Sequence, residues 1–339
     1  MRLDRILAAA FVVLVSTAIV GLSTGSTGAS FTGTTTNPSQ ILNTQSVAPP
    51  ASFTSATSAV AGGIDLVWTA STSPAGSHTL TYLVLRGPVG GPYVQVGTTS
   101  SLSFSDTPGS DGTYEYVVQT KIAQGAGFFT SPNSATKSAK SDRIAPTMSA
   151  TCNGAACGAW YNAPVAVQIN GNDGAGVGMG TATTNVDGAG AATSAAPRSV
   201  TVSGESAAHS VVYSGTDAAG NAAGNTTLTF GIDLTSPTVA GGVTSASTPG
   251  TPANMDVTWT AATDGLSGVA GYTVRWVQAV ACPAATPANY PNAAAVGNVT
   301  TYNITPLTKN AMYCAYVVAV DNAGNQSAAS AVTGPTKAK

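Results

Sequence analysis

"VTWTAATDGLSGVAGYTVRWV" at residues 257–277 and "LVWTASTSPAGSHTLTYLVLRG" at 66–87 follow one plan twice. Each opens with a run ending near Trp259 or Trp68, passes through a polar loop, and resumes in a second run led by Tyr272 or Tyr82. Apolar and polar residues alternate along these runs, the period of a strand with one buried face. A Trp on such a strand packs against the facing layer and buries on the order of 150–250 Å². The parallel continues downstream, where "YEYVVQT" at 114–120 and "CAYVVAV" at 314–320 set Tyr116 against Tyr316 and Cys314 against Tyr114. On this alignment "CPAATPANYPNAAAV" at 282–296 is an insertion.

Between the two copies the same grammar holds. Val165, Val167, Ile169 and Leu228, Phe230, Ile232 alternate with polar neighbours, and Gly, Pro, Asn and Asp punctuate the runs. No convincing amphipathic helix follows the N-terminal segment. Two runs end alike, "VYSGTDAAGN" at 212–221 and "YVVAVDNAGN" at 316–325, each an apolar strand entering Asp-x-Ala-Gly-Asn. Boundaries come from "VAPPAS" at 47–52, "DRIAPTMS" at 142–149 and "DLTSPTVA" at 233–240, where Pro follows polar residues and cannot donate to a ladder. Many short strands with frequent turns predict an all-β chain of sandwiches. The expected division is 1–29 signal segment, 30–47 Ser/Thr/Asn-rich leader, sandwiches over 48–141, 142–235 and 236–336, and a tail at 337–339.

The 339 residues are only 8% charged, against about 25% in an average soluble domain. Hydroxyls and amides must therefore solvate the surface, while 43% apolar residues supply real cores and exclude wholesale disorder. A net charge of −2 with scattered Lys and Arg offers nucleic acid no electrostatic footprint. "MRLDRILAAAFVVLVSTAIVGLSTGSTGAS" has a short basic start, an apolar run from Ile6 to Leu22, and Thr27 and Ala29 placed for cleavage before Ser30, the plan of a secretory signal peptide. An uncleaved membrane anchor is the alternative, and it is the one membrane contact expected. No apolar tail follows "TGPTKAK", so no C-terminal anchor is expected.

Export makes the cysteines legible, since four in an oxidising compartment predict disulfides in one of three pairings. Pairing within sandwiches, Cys152 with Cys157 and Cys282 with Cys314, is the simplest. In the chain-entropy model the longer loop contributes about 3–4 kcal/mol and the shorter about 2. Zinc is the competing reading, but no further Cys or His falls at ligand spacing.

The first and third sandwiches resemble fibronectin type III domains through the entering Pro, Trp68 or Trp259 on the second strand, and the Tyr-x-Val pattern of a later one. The middle one, with "WYNAPVAVQINGND" at 160–173 and "VTVSGESAAHSVVYSGTDAAGN" at 200–221, resembles the Ig-like repeats of exported bacterial proteins. The resemblance implies three tandem Ig/fibronectin type III-like β-sandwiches and says little about function, because such folds host many roles.

Groups able to do chemistry are few. His78 and His209 fall in different sandwiches, as do Glu115 and Glu205, and no nucleophile-elbow motif accompanies either His. Each His reads as a surface residue, and no catalytic residue is expected. Trp160, Trp259, Trp276 and Trp68 read as core or core-edge rather than as sugar-stacking platforms. Asn172 and Asp173 of "NGNDGAGVG", Asp217 and Asn221, and Asp264, Asp321, Asn322 and Asn325 could gather in oxygen-rich loops of the kind that hold calcium. Turn formation is the stronger reading, because Asp and Asn bond their own backbone and Gly220 or Gly324 supplies positive φ; no cofactor is expected. The chain then reads as a non-catalytic exported module for spacing, display or adhesion, secreted or held on the outer face of a bacterium, with a surface protein or polysaccharide as partner. The alternative is an accessory component of extracellular polysaccharide breakdown.

Overall fold

The structure is a computed structural model that describes residues 46–73, 79–124 and 127–339. The signal segment, nearly all of the leader, and His78 lie outside the described residues. What is described consists of strands and turns, with a single 3-10 turn at Val60–Gly62. No helix among the described residues is long and apolar enough to cross a membrane. The chain divides into two compact units. One takes in residues up to Ala145 together with the loops Asp173–Gly178 and Asp217–Asn221, and the other holds the remainder.

In the first sandwich, Gly63–Trp68 lies between Phe53–Ala59 and Ser103–Asp106 in one antiparallel sheet. The second sheet runs Val94–Thr99, Leu80–Gly87, Gly112–Gln124, with Gly127–Thr130 and Lys137–Ser141 both paired to the long strand. Strict alternation in "GIDLVW" buries Ile64, Leu66 and Trp68 against Tyr82, Val84, Tyr116 and Val118 of the facing sheet. Trp68 meets Tyr82 edge-on at 5.5 Å, a contact worth roughly 0.5–1.5 kcal/mol beyond its buried area.

The third sandwich repeats this plan. Ala253–Thr260 lies between Gly241–Ala246 and Thr301–Leu307, facing a sheet ordered Asn292–Gly297, Val269–Gln278, Met312–Asp321, Thr333–Lys337. Met255, Val257 and Trp259 point inward, and Trp259 stands 5.2 Å from the Tyr272 ring. In both sandwiches the Tyr hydroxyl reaches past the Trp to accept a main-chain N–H, Ser71 onto Tyr82 at 3.2 Å and Ala262 onto Tyr272 at 2.8 Å. Trp276 packs at the edge of this core beside Tyr302. Lys337 belongs to the last strand and Ala338 is buried in the core, so two residues assigned to a tail by the sequence are structural.

The middle sandwich places Val165–Asn172 between Arg198–Val202 and Thr147–Cys152, facing a sheet of Trp160–Tyr161, Thr226–Ile232, Ser206–Asp217, Met179–Val186 and Ala191–Ala195. Val165, Val167 and Ile169 are fully buried against Val211, Tyr213, Phe230 and Ile232. Tyr161 closes this core edge-on to Phe230 at 5.5 Å. Trp160 lies across Gly231, where any Cβ would collide with the indole ring. Cys152 is bonded to Cys157, and Cys282 to Cys314.

One alignment drawn from the sequence is wrong by a residue. Tyr82 pairs with Thr120 and Arg86 with Tyr116, whereas Tyr272 pairs with Ala319 and Trp276 with Ala315. Superposing the two leading tyrosines puts Tyr116 at Ala315 and Tyr316 at Val117, with Cys314 at Glu115. Because side chains alternate with period two, a slip of one residue exchanges the faces. Tyr116 is therefore an inner core residue, while Tyr316 faces outward in a second, smaller cluster with Tyr290 and Cys314. The insertion following Cys282 folds over that outer face, and Tyr290, fully buried, meets Tyr316 edge-on at 4.8 Å.

Candidate functional site: two aspartate–asparagine loops

The two Asp-x-Ala-Gly-Asn segments fold identically, for local reasons. Gly220 and Gly324 both sit at φ +95°, a region L side chains rarely adopt. Asp217 Oδ1 accepts the Asn221 N–H at 2.8 Å and Asp321 Oδ1 accepts that of Asn325 at 2.8 Å. The main chain closes the loop in parallel, with the Asp217 N–H on Asn221 O at 3.1 Å and the Asp321 N–H on Asn325 O at 3.1 Å. The turn expected at these positions is thus present in both copies.

Each turn also carries an amide that reaches elsewhere. Asn221 Nδ2 donates to Asp217 Oδ2 at 2.7 Å and to the Asp142 carbonyl at 3.0 Å. Asn325 Nδ2 donates to Asp321 Oδ2 at 2.8 Å, to the Asp233 carbonyl at 2.8 Å and to Thr235 O at 3.3 Å. Asn221 Oδ1 in turn accepts the Ala61 N–H at 2.9 Å. Each Asn thereby pins the stretch that begins at Asp142 or Asp233, two of the three boundary runs of the sequence.

These contacts gather three carboxylates twice. Asp142, Asp173 and Asp217 bring one oxygen each to within 4.8 Å of one another, and Asp233, Asp264 and Asp321 do the same. Within each set two members are buried and the third half-buried. Matching bonds orient them: Asp142 takes the Ile144 and Val177 N–H groups, and Asp233 those of Thr235 and Ser267. Asp173 takes the Gly178 N–H and Asp264 the Gly268 N–H. All these donors are neutral. With three ionised members, each pair at such separations repels by on the order of 3 kcal/mol at an effective dielectric constant near 20. The three ion pairs among the described residues, Arg86–Asp106, Arg143–Asp111 and His209–Asp187, reach neither set. Burial acts to raise the Asp233 pKa, but the nearby Ser267 hydroxyl and the Thr235 and Ser267 N–H groups outweigh it and hold the carboxyl below its ordinary range.

Of the residues singled out in the sequence, Asp173 joins Asp217, and Asp264 joins Asp321, while Asn322 Nδ2 donates to the carbonyls of Ser267 and Gly268 at 2.7 and 3.0 Å. Asp142 and Asp233 were missed as site residues, although both stood at the head of a boundary run. The other candidates have structural partners. Glu115 accepts from Gly90 N–H and Tyr93 hydroxyl, and Glu205 accepts from Leu234 N–H and the Thr235 hydroxyl. His209 is not a surface residue: only 6% exposed, it bonds Asp187 at 2.7 Å and the Gly204 carbonyl at 3.1 Å. Burial opposes its charge, yet Asp187 and Gly204 outweigh that effect and raise its pKa. Phe128 and Phe129, side by side in a short strand of the first sandwich, are more than half exposed.

Comparison with known proteins places part of the chain. Residues 240–335 match the model of the fibronectin type III domain. Exoglucanase B of Cellulomonas fimi is 31% identical over 289 residues, which is 79% of this chain and 24% of that protein. The chain thus spans about a quarter of that relative's length. Among solved structures, the FN1–FN3 domains of chicken CNTN1 align at 14% identity with a TM-score of 0.41, covering 84% of this chain and 97% of theirs. Domains A168–A170 of titin align at 14% identity with a TM-score of 0.39, covering 87% and 100%.

Proposed function

We propose that the chain is a non-catalytic, exported spacer or display module that holds a partner, or a neighbouring part of a longer protein, at the cell surface. The observation that carries this reading is the engagement of its scarce reactive groups. Both glutamates and His209 close turns or strand ends through hydrogen bonds: Glu115 does so in the first sandwich, while Glu205 and His209, both in the middle one, are bonded to different partners, Leu234 and Thr235 for the glutamate and Asp187 and Gly204 for the histidine. General acid–base work needs groups that converge on one reacting bond. Two disulfides suit an oxidising, extracellular setting.

A second reading, an accessory role in extracellular polysaccharide breakdown, is favoured by the likeness to exoglucanase B and by the exposed Phe128–Phe129 pair. The Lys121 ammonium lies 4.2 Å over one face of the Phe128 ring, and the aromatic faces still in water are suited to stacking on apolar faces of a sugar ring. Incubating the purified chain with soluble and insoluble β-glucans, then sedimenting the insoluble fraction, separates the readings. Release of reducing sugar would overturn both. A chain that stays in the supernatant supports the spacer. A chain that pellets, and is freed by combining Phe128→Ala with Phe129→Ala, supports the accessory role.

A further inference from the structure

The geometry points to a calcium ion at each of the two aspartate triads, one held by Asp142, Asp173 and Asp217, the other by Asp233, Asp264 and Asp321. Three carboxylates drawn together in a mostly buried place, with only neutral donors bonded to them, leave a local negative charge with no bonded counter-ion. The second triad adds an independent sign. Ser267, only 9% exposed, has a hydroxyl close enough to the Asp233 carboxylate to stabilise its charge, yet its oxygen meets no partner in hydrogen-bond geometry. A buried hydroxyl without a partner is costly unless something else takes it up, and a cation among the three carboxylates would do so.

In the first triad Asp173 Oδ1 is likewise buried and unbonded. There the chain also wraps directly onto the carboxylates, for a Cβ at Gly176 would collide with Asp173 Oδ2 and Asp142 Oδ2. Lys140 bonds the Gly176 carbonyl at 3.0 Å, so its charge lies nearby but not on a carboxylate.

The donor chemistry selects the ion. Every candidate ligand is a hard oxygen, with no imidazole or thiolate in either triad, which disfavours zinc and copper. Magnesium demands near-ideal octahedral geometry, whereas calcium accepts six to eight oxygens in irregular arrangements and takes the balance from hydroxyls, carbonyls and water. Recurrence argues in the same direction. The two triads share most of their bonding pattern, with Asp264 taking the Leu266 N–H in addition, yet the loops that carry Asp173 and Asp264 differ in length and sequence, "DGAGVG" at 173–178 against "DGLSG" at 264–268. Turn formation alone does not require that the boundary Asp, the middle-loop Asp and the turn Asp converge in both.

Equilibrium dialysis of the full chain against calcium chloride, with thermal unfolding in parallel, tests this. We expect two ions per chain, with dissociation constants on the order of 10⁻⁴–10⁻³ M as in other extracellular modules, and a rise in unfolding temperature that EDTA reverses. Asp173→Asn and Asp264→Asn, at the half-buried members, should each lower the count to one, and the double variant to zero. Circular dichroism checks that these variants fold; should they not, Ser267→Ala takes the place of the second and should weaken one site at least severalfold. Fewer than two ions on the parent chain, or two retained by the folded double variant, would overturn the inference. So would an unfolding temperature insensitive to calcium but raised at pH 5, the mark of carboxylates sharing protons instead of a cation.

Discussion

Replacing Asn221 by Ala tests the central joint of the first triad. The side chain makes three bonds, accepting the Ala61 N–H and donating to the Asp142 carbonyl and Asp217 Oδ2. Truncation strands all three partners at a residue 6% exposed, where water has little access. An abandoned buried polar group costs about 1–3 kcal/mol. With partial relaxation, the loss should be about 3–5 kcal/mol. Asn325→Ala removes an equivalent set of bonds from Asp233 O, Asp321 Oδ2 and Thr235 O, but this residue is only half-buried and water can substitute. About 1–2 kcal/mol is expected there. Urea unfolding followed by tryptophan fluorescence compares the two, each as the midpoint shift of the transition that the substitution moves. An Asn221→Ala chain within 1 kcal/mol of the parent, or no less stable than Asn325→Ala, would refute the reasoning from burial.

Three further outcomes are expected. Tyr290→Ala should cost about 3–4 kcal/mol in the third sandwich, the range for deleting a buried aromatic, while Tyr290→Phe, which loses only the bond to Pro283 O, should cost about 1; chemical denaturation reads both. Breaking Cys282–Cys314, which closes 32 residues of sequence separation, should lower stability by about 3–4 kcal/mol, well beyond the effect of breaking Cys152–Cys157 across 5, measured on Cys→Ala pairs. The His209–Asp187 pair should give a defined pH window. The raised His209 pKa contributes stability that is full below its unfolded value of about 6.5 and is lost as pH rises through the folded value. The lowered Asp187 pKa contributes stability present above about 3.9 and lost as pH falls through its folded value. The parent's advantage over His209→Gln should therefore peak near pH 4–6.5 and shrink toward pH 9 in melting experiments.

The tryptophan-bearing strands were legible because "GIDLVW" and "MDVTW" state their buried face outright through alternation. The Asp-x-Ala-Gly-Asn turns were legible for a related reason, since their bonds span four residues. Convergence of Asp142 with Asp217 was not, because it depends on contacts far apart in sequence that no local pattern encodes. Tyr316 was matched to Tyr116, although the two face opposite ways, because likeness of residue type along a strand does not fix the register to within one position. Only the insertion, laying Tyr290 against the outer face, makes an aromatic residue tolerable there. His209 was misjudged although the signal existed: it alternates in phase with Val211 and Tyr213, both inward.

Each triad is complete within one stretch of chain, from 142 to 221 or from 233 to 325, and both begin several residues ahead of the first strand they serve. A gene fragment cut to start at Pro146 or Pro237, where the proline invites the cut, would retain a full set of strands while discarding the aspartate whose carbonyl the asparagine turn grips and whose carboxylate the middle loop caps. Such a truncation would yield a soluble but loosened product, and its behaviour would be mistaken for that of the intact repeat. Shuffled whole, by contrast, the stretch carries its own fastening wherever it is inserted.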